Sequence, residues 1–315
     1  VCEYGEGYGR LKKGAYYAGA GQFPTVGDFV LIDWSPAGDS RILRTLPRRT
    51  YFFRRAPLTG GEQAVAANCD WVFVMQSMNQ NFNLKRLERY LAAAWQSGAE
   101  PVVVLTKADL AGDPGTFVRA AQAAAPGAAV YAVSARTGQG LEALNPYLLP
   151  GKTIAFLGSS GVGKSSLVNA LAGEEVMSAG AIREEDGRGR HTTTHRQLLR
   201  LPGGVLIIDT PGMRELGLWE AGEGLGEAFP DVEALLGQCR FSDCRHQSEP
   251  GCAVRAAIEA GELSPQRWES WQKLQAENAA SDRAALLRQK GERNKAISKA
   301  VRAQEKLRRK GLRHI

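Results

Sequence analysis

The chain has 315 residues, of which 43% are hydrophobic, and its formal net charge is +7. This length and composition favour a soluble protein of two or three domains, each able to bury a core. No apolar run approaches the ~18 residues needed to span a bilayer and nothing resembles a signal peptide, so we expect a cytoplasmic protein without membrane association.

The positive charge is concentrated near the carboxyl end. Residues 290–313 contain five Lys and five Arg against Glu292 and Glu305, a net charge of +8, so the remainder of the chain sums to −1. Basic tails commonly meet phosphate backbones or anionic membranes. The alternative is a solvated, partly helical tail that has no partner.

The first segment, residues 1–57, has short alternating runs broken by Gly and Pro, among them TVGDFVLIDW from Thr25 to Trp34. This pattern predicts a small β-barrel. Its end, SRILRTLPRRTYFFRR, holds six Arg, three aromatic residues and no acid. Such a stretch suits single-stranded or looped RNA. Equally, the aromatic residues could fill the barrel while the Arg side chains face water.

The second segment, residues 64–219, alternates strand-like apolar runs with helical stretches. The runs are WVFVMQ, PVVVL, AVYAV, TIAFL and VLIID. Strands of this kind with helical crossovers predict a parallel sheet covered on both faces. The stretch NLKRLERYLAAAWQSG predicts a crossover helix closed by Gly98. From about residue 220 the chain is mostly helical, interrupted by a short Cys/His cluster.

A phosphate-binding loop follows TIAFL. The pattern G-x-x-x-x-G-K-S is met by Gly158, Gly163, Lys164 and Ser165, between a strand and a helix as this motif requires. Backbone N–H groups of the loop would face phosphate oxygens, Lys164 would reach the β- and γ-phosphates, and Ser165 would bind Mg²⁺. The loop residues are Gly158, Ser159, Ser160, Gly161, Val162, Gly163, Lys164, Ser165 and Ser166.

Two short motifs indicate guanine. In TKAD, formed by Thr106, Lys107, Ala108 and Asp109, the carboxylate would accept two hydrogen bonds from guanine that adenine cannot donate. Lys107 would lie along the face of the base. In SAR, the backbone of Ser134 and Ala135 would meet guanine O6.

A third motif, DTPG, follows VLII. Asp209 would hold Mg²⁺ through water, and Gly212 would offer its N–H to the γ-phosphate. Between it and the phosphate loop lies GRGRHTTTH, where a Thr would bind Mg²⁺ in the GTP state. Thr193 is our first candidate and Thr192 the second, because three consecutive Thr leave the register open.

Ras-type enzymes orient the attacking water with a Gln directly after this motif, whereas this chain has Met213. A thioether cannot orient water. Our hypothesis is that His191 does so when its loop is ordered. The alternative is that His191 contacts only phosphate or RNA.

Cys239, Cys244, His246 and Cys252 form C-x4-C-x-H-x5-C. Three thiolates and one imidazole complete a tetrahedral Zn²⁺ site with no open position, which indicates a structural metal. Unrelated thiols are the alternative.

The order TKAD, SAR, phosphate loop, switch loop and DTPG resembles a circularly permuted Ras-like GTPase. With the first and last segments, nearly the whole chain resembles the ribosome small subunit-dependent GTPase A family, in which the position of Thr106 is often Asn. The resemblance implies an OB-type barrel over 1–57, a permuted GTPase domain over 64–219, and a zinc-binding helical domain with a basic tail over 220–315.

The resemblance further implies a monomeric enzyme that hydrolyses GTP to GDP, with Mg²⁺ and one structural Zn²⁺. Its expected partners are the small (30S) ribosomal subunit and its rRNA, and it would assist late subunit maturation with turnover stimulated by the subunit. Two alternatives remain: a nucleotide-gated rRNA-binding module, or a translation factor, in which hydrolysis is incidental.

The permutation leaves the site unchanged but alters connectivity, because the segment after Asp209 runs directly into the zinc domain. We therefore expect GTP to set the angle between the zinc domain and the GTPase core, and hydrolysis to release the subunit.

Overall fold

A computed structural model of the chain describes residues 23–36, 38–55, 62–177, 197–209 and 222–280, and single residues 283, 287 and 291. Three predicted site residues, His191, Thr193 and Gly212, lie outside these residues. So does nearly all of the basic tail, together with residues 1–22 of the predicted barrel.

The described part contains ten strands. In chain order they are β1 Val30–Asp33, β2 Arg41–Thr45, β3 Tyr51–Arg55, β4 Glu62–Ala67, β5 Trp71–Ser77, β6 Glu100–Thr106, β7 Ala129–Ala132, β8 Thr153–Leu157, β9 Gln197–Arg200 and β10 Leu206–Asp209. The helices are α1 Leu84–Gln96, α2 Pro114–Ala124, α3 Lys164–Ala172, α4 Gly222–Ala228, α5 Pro230–Leu236, α6 Ala253–Glu259 and α7 over residues 265–280. None of the helices in these ranges is long and apolar enough to cross a membrane.

Six strands form a central sheet in the order β7-β6-β5-β8-β10-β9. All neighbouring pairs are parallel except β10 with β9, which is antiparallel at one edge. The predicted parallel sheet is therefore confirmed. Because parallel strands share one carboxyl edge, the loops after β5, β6, β7 and β8 gather along that edge, where β10 also ends at Asp209.

Helices cover both faces of the sheet because residues along each strand alternate between two cores. In β5, Val72 and Val74 pack in the core that contains α1, while Phe73 and Met75 pack in the core that contains α3. The predicted crossover helix is α1. It begins after the cap Asn83, whose side chain accepts from Arg86 N, and Gly98 at φ 79° turns the chain away after its end.

The amino-terminal strands form two antiparallel pairs, β1 with β2 and β3 with β4. The second pair docks on the central domain, since Tyr51 N donates to Ser97 O (2.8 Å) and Phe52 is 2% exposed in the core shared with α1. The predicted boundary at residues 57–64 thus lies between two paired strands. An OB-type closure of this unit stays a prediction, because residues 1–22 are outside the described part.

The carboxyl-terminal helices pack directly on the central domain. A Cβ at Gly224 in α4 would lie 2.2 Å from Ala92 O and 2.5 Å from Gln96 N of α1. Only glycine permits this approach of the two backbones. The core on this face of the sheet consequently continues through Phe229 to Trp268 of α7.

A buried arginine joins these helices to the sheet domain. Arg267 of α7 donates to both carboxylate oxygens of Asp231 (2.5 and 2.6 Å), to Glu88 Oε1 of α1 (3.2 Å) and to Ala228 O (2.9 Å). Its guanidinium lies 4.5 Å from the Phe229 ring centroid. Burial raises the pKa of Glu88, although the Ser270 hydrogen bond and the Arg267 charge act in the opposite direction.

Candidate nucleotide site and metal centre

The predicted phosphate loop connects β8 to α3. Gly158 has little room for a side chain, because a Cβ there would lie 3.0 Å from Val162 Cγ1 and 3.1 Å from Met75 O. Gly161 and Gly163 have left-handed φ angles of 71° and 101°. The glycines therefore allow the tight path that ends at the amino terminus of α3, where a phosphate would meet backbone N–H groups.

The phosphate-loop lysine is folded against its own loop. Lys164 is 7% exposed, and its Nζ donates to Gly158 O at 3.0 Å. Ser165 and Ser166 follow it in the first turn of α3. The ammonium therefore lies within the loop that would surround the phosphates, and its contact with them stays a prediction.

Thr106 ties the guanine motif to the phosphate loop. Its hydroxyl lies 2.6 Å from Val162 O and 3.3 Å from Gln76 O, and it is oriented to donate to these carbonyls. Lys107, at φ 62°, donates from Nζ to Gly161 O at 2.9 Å. The two motifs are about fifty residues apart in sequence, and the parallel strands β6 and β8 bring them into contact.

The second half of TKAD meets SAR. Asp109 Oδ1 accepts a hydrogen bond from the Ser134 hydroxyl at 2.7 Å, and Ala108 N donates to Val133 O at 3.1 Å. The Ser134 oxygen also accepts from Thr137 N at 3.2 Å. These bonds hold the Asp109 carboxylate against the Ser134 hydroxyl at the end of β7. The reading of guanine by Asp109, Ser134 and Ala135 stays a prediction.

One contact to the phosphate loop was not predicted. Asn81, in the loop between β5 and α1, donates from Nδ2 to the Ser159 hydroxyl at 3.2 Å. The same loop is braced by Asn79, whose side chain accepts from Ser77 Oγ and Asn81 N, both at 2.9 Å. This loop follows β5, which is adjacent to β8, but no sequence motif marks Asn81 as a site residue.

Asp209 ends β10, the other strand adjacent to β8. The predicted Mg²⁺-binding carboxylate is thus on the same sheet edge as the phosphate loop. Its companions Gly212, Thr193 and His191 lie outside the described residues, so their roles remain predictions.

The four Cys and His residues come together near α6. One ligand atom from each of Cys239, Cys244, His246 and Cys252 lies within 4.8 Å of all the others. The distances from His246 Nδ1 to the three Sγ atoms are 3.5, 3.6 and 3.5 Å. A tetrahedral zinc with Zn–S and Zn–N bonds of about 2.3 and 2.0–2.1 Å requires S···N edges of roughly 3.5–3.6 Å. The four side chains therefore fit zinc.

A carboxylate organises the loop that carries these ligands. Glu249 accepts backbone hydrogen bonds from Arg245 N (3.0 Å), Gln247 N (2.9 Å) and Ser248 N (3.0 Å). The hydrogen bond from its own N–H, together with these three, lowers the pKa of Glu249 to about 2. The Glu249 carboxylate therefore pairs with N–H groups of its own loop. Two of these, from Arg245 and Gln247, lie on either side of His246, whose backbone is left-handed at φ 59°.

Comparisons with known proteins agree on one family. The family model described as RsgA GTPase matches residues 45–219. The small ribosomal subunit biogenesis GTPase RsgA 1 of Listeria monocytogenes is 46% identical over 314 residues, covering 98% of this chain and 89% of the relative. The chain belongs to the RsgA GTPase family. The family is one of GTPases, enzymes that hydrolyse GTP to GDP and phosphate.

Other relatives and solved structures extend this result. The small ribosomal subunit biogenesis GTPase RsgA of Streptomyces avermitilis is 49% identical over 293 residues, covering 88% of this chain and 78% of the relative. YjeQ from Thermotoga maritima superposes with a TM-score of 0.61 at 31% identity, covering 82% and 85% of the two chains. YloQ, described as a circularly permuted GTPase, gives a TM-score of 0.56 at 28% identity, covering 82% of each chain.

The permuted order predicted from the sequence is therefore confirmed. The guanine motifs follow β6 and β7, before the phosphate loop after β8, yet all lie on one edge of the sheet. Sequence reasoning missed Arg267, which joins the last helices to α1, because its partners Glu88 and Asp231 are distant in sequence.

Proposed function

We propose that this chain binds GTP at the described sheet edge, hydrolyses it, and assists maturation of the small ribosomal subunit, which accelerates the hydrolysis. The observation that carries the proposal is the direct contact of Thr106 and Lys107 with the phosphate loop, since it joins a guanine motif and a phosphate motif into one site. Family membership supports the ribosomal role, with the cytoplasmic location and monomeric state expected from the sequence.

Within this site each residue has a proposed task. The loop N–H groups and Lys164 hold the phosphates, and Asp109 accepts from guanine while Ser134 fixes the carboxylate. Mg²⁺ would be held by the hydroxyls of Ser165 and Thr193 and, through water, by Asp209. The metal would neutralise charge on the phosphates.

The water that attacks GTP needs an orienting group. Met213 cannot supply it, so we assign this task to His191, in a loop that the small subunit helps to order. That assignment would account for the expected rise in turnover when the subunit binds.

The zinc ion is proposed to be structural. Three thiolates and His246 leave no open position, and the ring of His246 packs edge-on against Trp268 at 5.5 Å. The ion would hold the loop of residues 239–252 against α7.

The first two strands offer a candidate rRNA surface. Leu31 faces Arg44 and Asp33 faces Arg41 across the β1–β2 pair, and Trp34 is 71% exposed. Arg48 is different, because it is paired with Asp28 at 2.7 Å. Both interpretations of this basic, aromatic stretch fit some of its residues. Phe52 is buried in the core, as expected if the aromatic residues are structural, whereas Arg41 and Arg44 are exposed and could contact RNA.

The test is GTP hydrolysis by the full chain with and without purified small subunits. Two lysines flank β8 and make a matched pair. Lys164→Ala removes the phosphate-loop ammonium, whereas Lys152→Ala removes a partly exposed ammonium that pairs with the nearly buried Asp70 at the opposite end of the strand. We expect subunits to raise turnover strongly, Lys164→Ala to lower it by about 10²–10³-fold, and Lys152→Ala to leave it nearly unchanged.

Equal, slow turnover with and without subunits would contradict stimulated hydrolysis and favour an rRNA-binding module. Equal stimulation by immature and mature subunits would favour a translation factor instead. Retained stimulation in His191→Ala would remove His191 from its proposed task.

A further inference from the structure

The loop between β5 and α1, residues 78–83, contacts both halves of the proposed nucleotide site. At its start, Met78 N donates to Thr106 O of the guanine motif at 3.0 Å. Further along, Asn81 Nδ2 donates to the Ser159 hydroxyl of the phosphate loop at 3.2 Å. No sequence motif gives this loop a role, yet it bridges the two motifs from which the site is built.

Hydrogen bonds within this loop hold Asn81 in place. The side chain of Asn79 accepts from Ser77 Oγ and from Asn81 N, both at 2.9 Å, and Asn79 O accepts from Phe82 N at 2.9 Å. The Phe82 ring packs edge-on against Phe117 of α2, with ring centroids 5.1 Å apart. A braced turn therefore presents Asn81 to the phosphate loop, although Asn81 itself is exposed.

Arg86 of α1 determines which way the Asn81 amide faces. Its guanidinium donates to Asn81 Oδ1 at 3.2 Å and also to Asn81 O. Because Oδ1 meets a donor, the other end of the amide, Nδ2, faces Ser159, and an amide nitrogen can only donate. The Ser159 oxygen is therefore the acceptor, and Arg86 sets the direction of this hydrogen bond.

The polar groups behind Arg86 are not fully satisfied. Gln76, which is completely buried at the end of β5, accepts from Arg86 at 3.2 Å and from Asn83 N at 3.3 Å. Gln76 Nε2 and Arg86 Nε are buried and have no hydrogen-bond partner among the residues that the structure describes. A buried donor without a partner destabilises the fold. Polar groups retained at this cost beside a nucleotide site indicate a functional role.

We infer that Asn81 is a positioning residue for nucleotide binding: by donating to Ser159, it holds the phosphate loop in the shape that receives the phosphates. The inference rests on the proposed function, in which this loop binds GTP and GDP. Ser159 precedes Gly161 and Gly163, whose left-handed backbones belong to the part of the loop that would face phosphate. A restraint at Ser159 reduces the conformational entropy that the loop loses on binding, and it acts equally on both nucleotides.

The test compares Asn81→Ala with Asn83→Ala in the full chain. Asn83 is the matched control, because it is an asparagine of the same loop whose side chain caps α1 by accepting from Arg86 N at 2.9 Å. Three quantities are measured for each protein: kcat and KM for GTP, the Kd for GDP by equilibrium titration, and the urea midpoint of unfolding.

We expect Asn81→Ala to raise the KM for GTP and the Kd for GDP by about fivefold each, equivalent to about 1 kcal/mol. Its kcat should stay within about twofold, because the contact serves ground state and transition state alike, and its urea midpoint should not change. Asn83→Ala should show the reverse pattern: a lower urea midpoint from the lost helix cap, with both nucleotide constants within about twofold.

A double-mutant cycle tests whether Asn81 acts through Ser159. Ser159→Ala removes the acceptor, so adding Asn81→Ala to it should weaken nucleotide binding by less than about twofold further. A full fivefold loss in the Ser159→Ala background would overturn the inference, because Asn81 would then act through another group.

Unchanged KM and GDP affinity in Asn81→Ala would also overturn it, as would a fall in kcat at constant KM, which marks an interaction made only in the transition state. A drop in the urea midpoint as large as that of Asn83→Ala would make the role of Asn81 structural and overturn it too. Lys164→Ala, titrated with GDP alongside, separates these outcomes from a failure of the proposed function: weakened binding in that variant supports the nucleotide site whatever Asn81 does, whereas unchanged binding would refute the site itself.

Discussion

At the scale of single residues, Asp109 determines which base the site accepts. Its carboxylate is positioned by the Ser134 hydroxyl, so we expect Asp109→Asn to lower GTP affinity by about 10²-fold, because two charge-assisted hydrogen bonds of roughly 1.5 kcal/mol each are lost. Xanthine carries a carbonyl where guanine carries its amine, and an amide can donate to that carbonyl. The variant should therefore prefer xanthosine triphosphate. Titration with both nucleotides measures this change.

The control is Asp113→Asn, at the cap of α2, where Asp113 accepts from Gly115 N at 3.0 Å and an asparagine caps equally well. It should keep the selectivity for GTP. Unchanged selectivity in Asp109→Asn would show that the base lies elsewhere.

The residues that could be predicted were those in local motifs. Thr106, Asp109, Ser134 and Lys164 each follow a recognisable strand, and parallel strands bring their ends together. Asn81 could not be predicted, because its contact with Ser159 spans 78 residues and no local pattern identifies it.

At the scale of elements, Arg267 fastens α7 to α1 and α5. Arg267→Met would leave Glu88 buried without its cation, so we expect a loss of about 3–5 kcal/mol in the free energy of unfolding of the carboxyl-terminal helices. Urea unfolding followed by tryptophan fluorescence measures this loss. Arg255→Met is the control: Arg255 pairs with Glu259 at 3.5 Å within α6, both side chains are exposed, and its removal should cost under about 0.5 kcal/mol. Equal losses would contradict a special role for Arg267.

The same interface predicts a pH dependence. The folded-state pKa of Glu88 is raised above its ordinary value of 4.5, mainly by burial, so folding favours its protonated form. Stability from this group is present below pH about 4.5 and is lost as the pH rises through the raised pKa. Glu88→Gln cannot ionise. The unmodified chain should therefore lose stability relative to Glu88→Gln on going from pH about 4.5 to neutral; a constant difference in unfolding free energy would contradict this.

Elements were predictable where hydrophobic pattern is strong. The five apolar runs became β5, β6, β7, β8 and β10. Two strands were missed, β9 with only QLLR and β4 with the alanine-rich EQAVAA. Alanine has little intrinsic preference for strands, so the pairing of β4 with β3 follows from tertiary packing, which the sequence does not display locally.

At the scale of the whole molecule, the metal site and the GTPase site should be separable. We expect one zinc per chain, lost in Cys244→Ser and retained in Cys69→Ser, whose thiol is buried far along the chain from the cluster. Zinc loss should disorder the loop around residues 239–252 and weaken binding to small subunits while leaving GTP affinity within about twofold. Metal analysis with nucleotide titration tests this. A parallel loss of GTP binding would mean that the two sites fold as one unit.

The bound nucleotide should also change the affinity of the chain for the small subunit. The chain link after Asp209 lies outside the described residues, but a second connection is described: Asn81 contacts the phosphate loop, α1 begins directly after it, and Glu88 of α1 binds Arg267 of α7. Allosteric couplings of this kind typically amount to about 1–3 kcal/mol. We therefore expect small subunits to bind the chain about tenfold more tightly with a non-hydrolysable GTP analogue than with GDP.

Reciprocity makes this prediction strict: subunits must raise the affinity for the analogue over GDP by the same factor. Arg267→Met should bring the ratio towards one if α1 carries the coupling, whereas Arg255→Met should keep it. Equilibrium binding of subunits and of both nucleotides to the unmodified chain and the two variants measures both affinity ratios. If nucleotide identity left subunit affinity unchanged in the unmodified chain, coupling would be absent; a full ratio in Arg267→Met would instead place it in the link after Asp209.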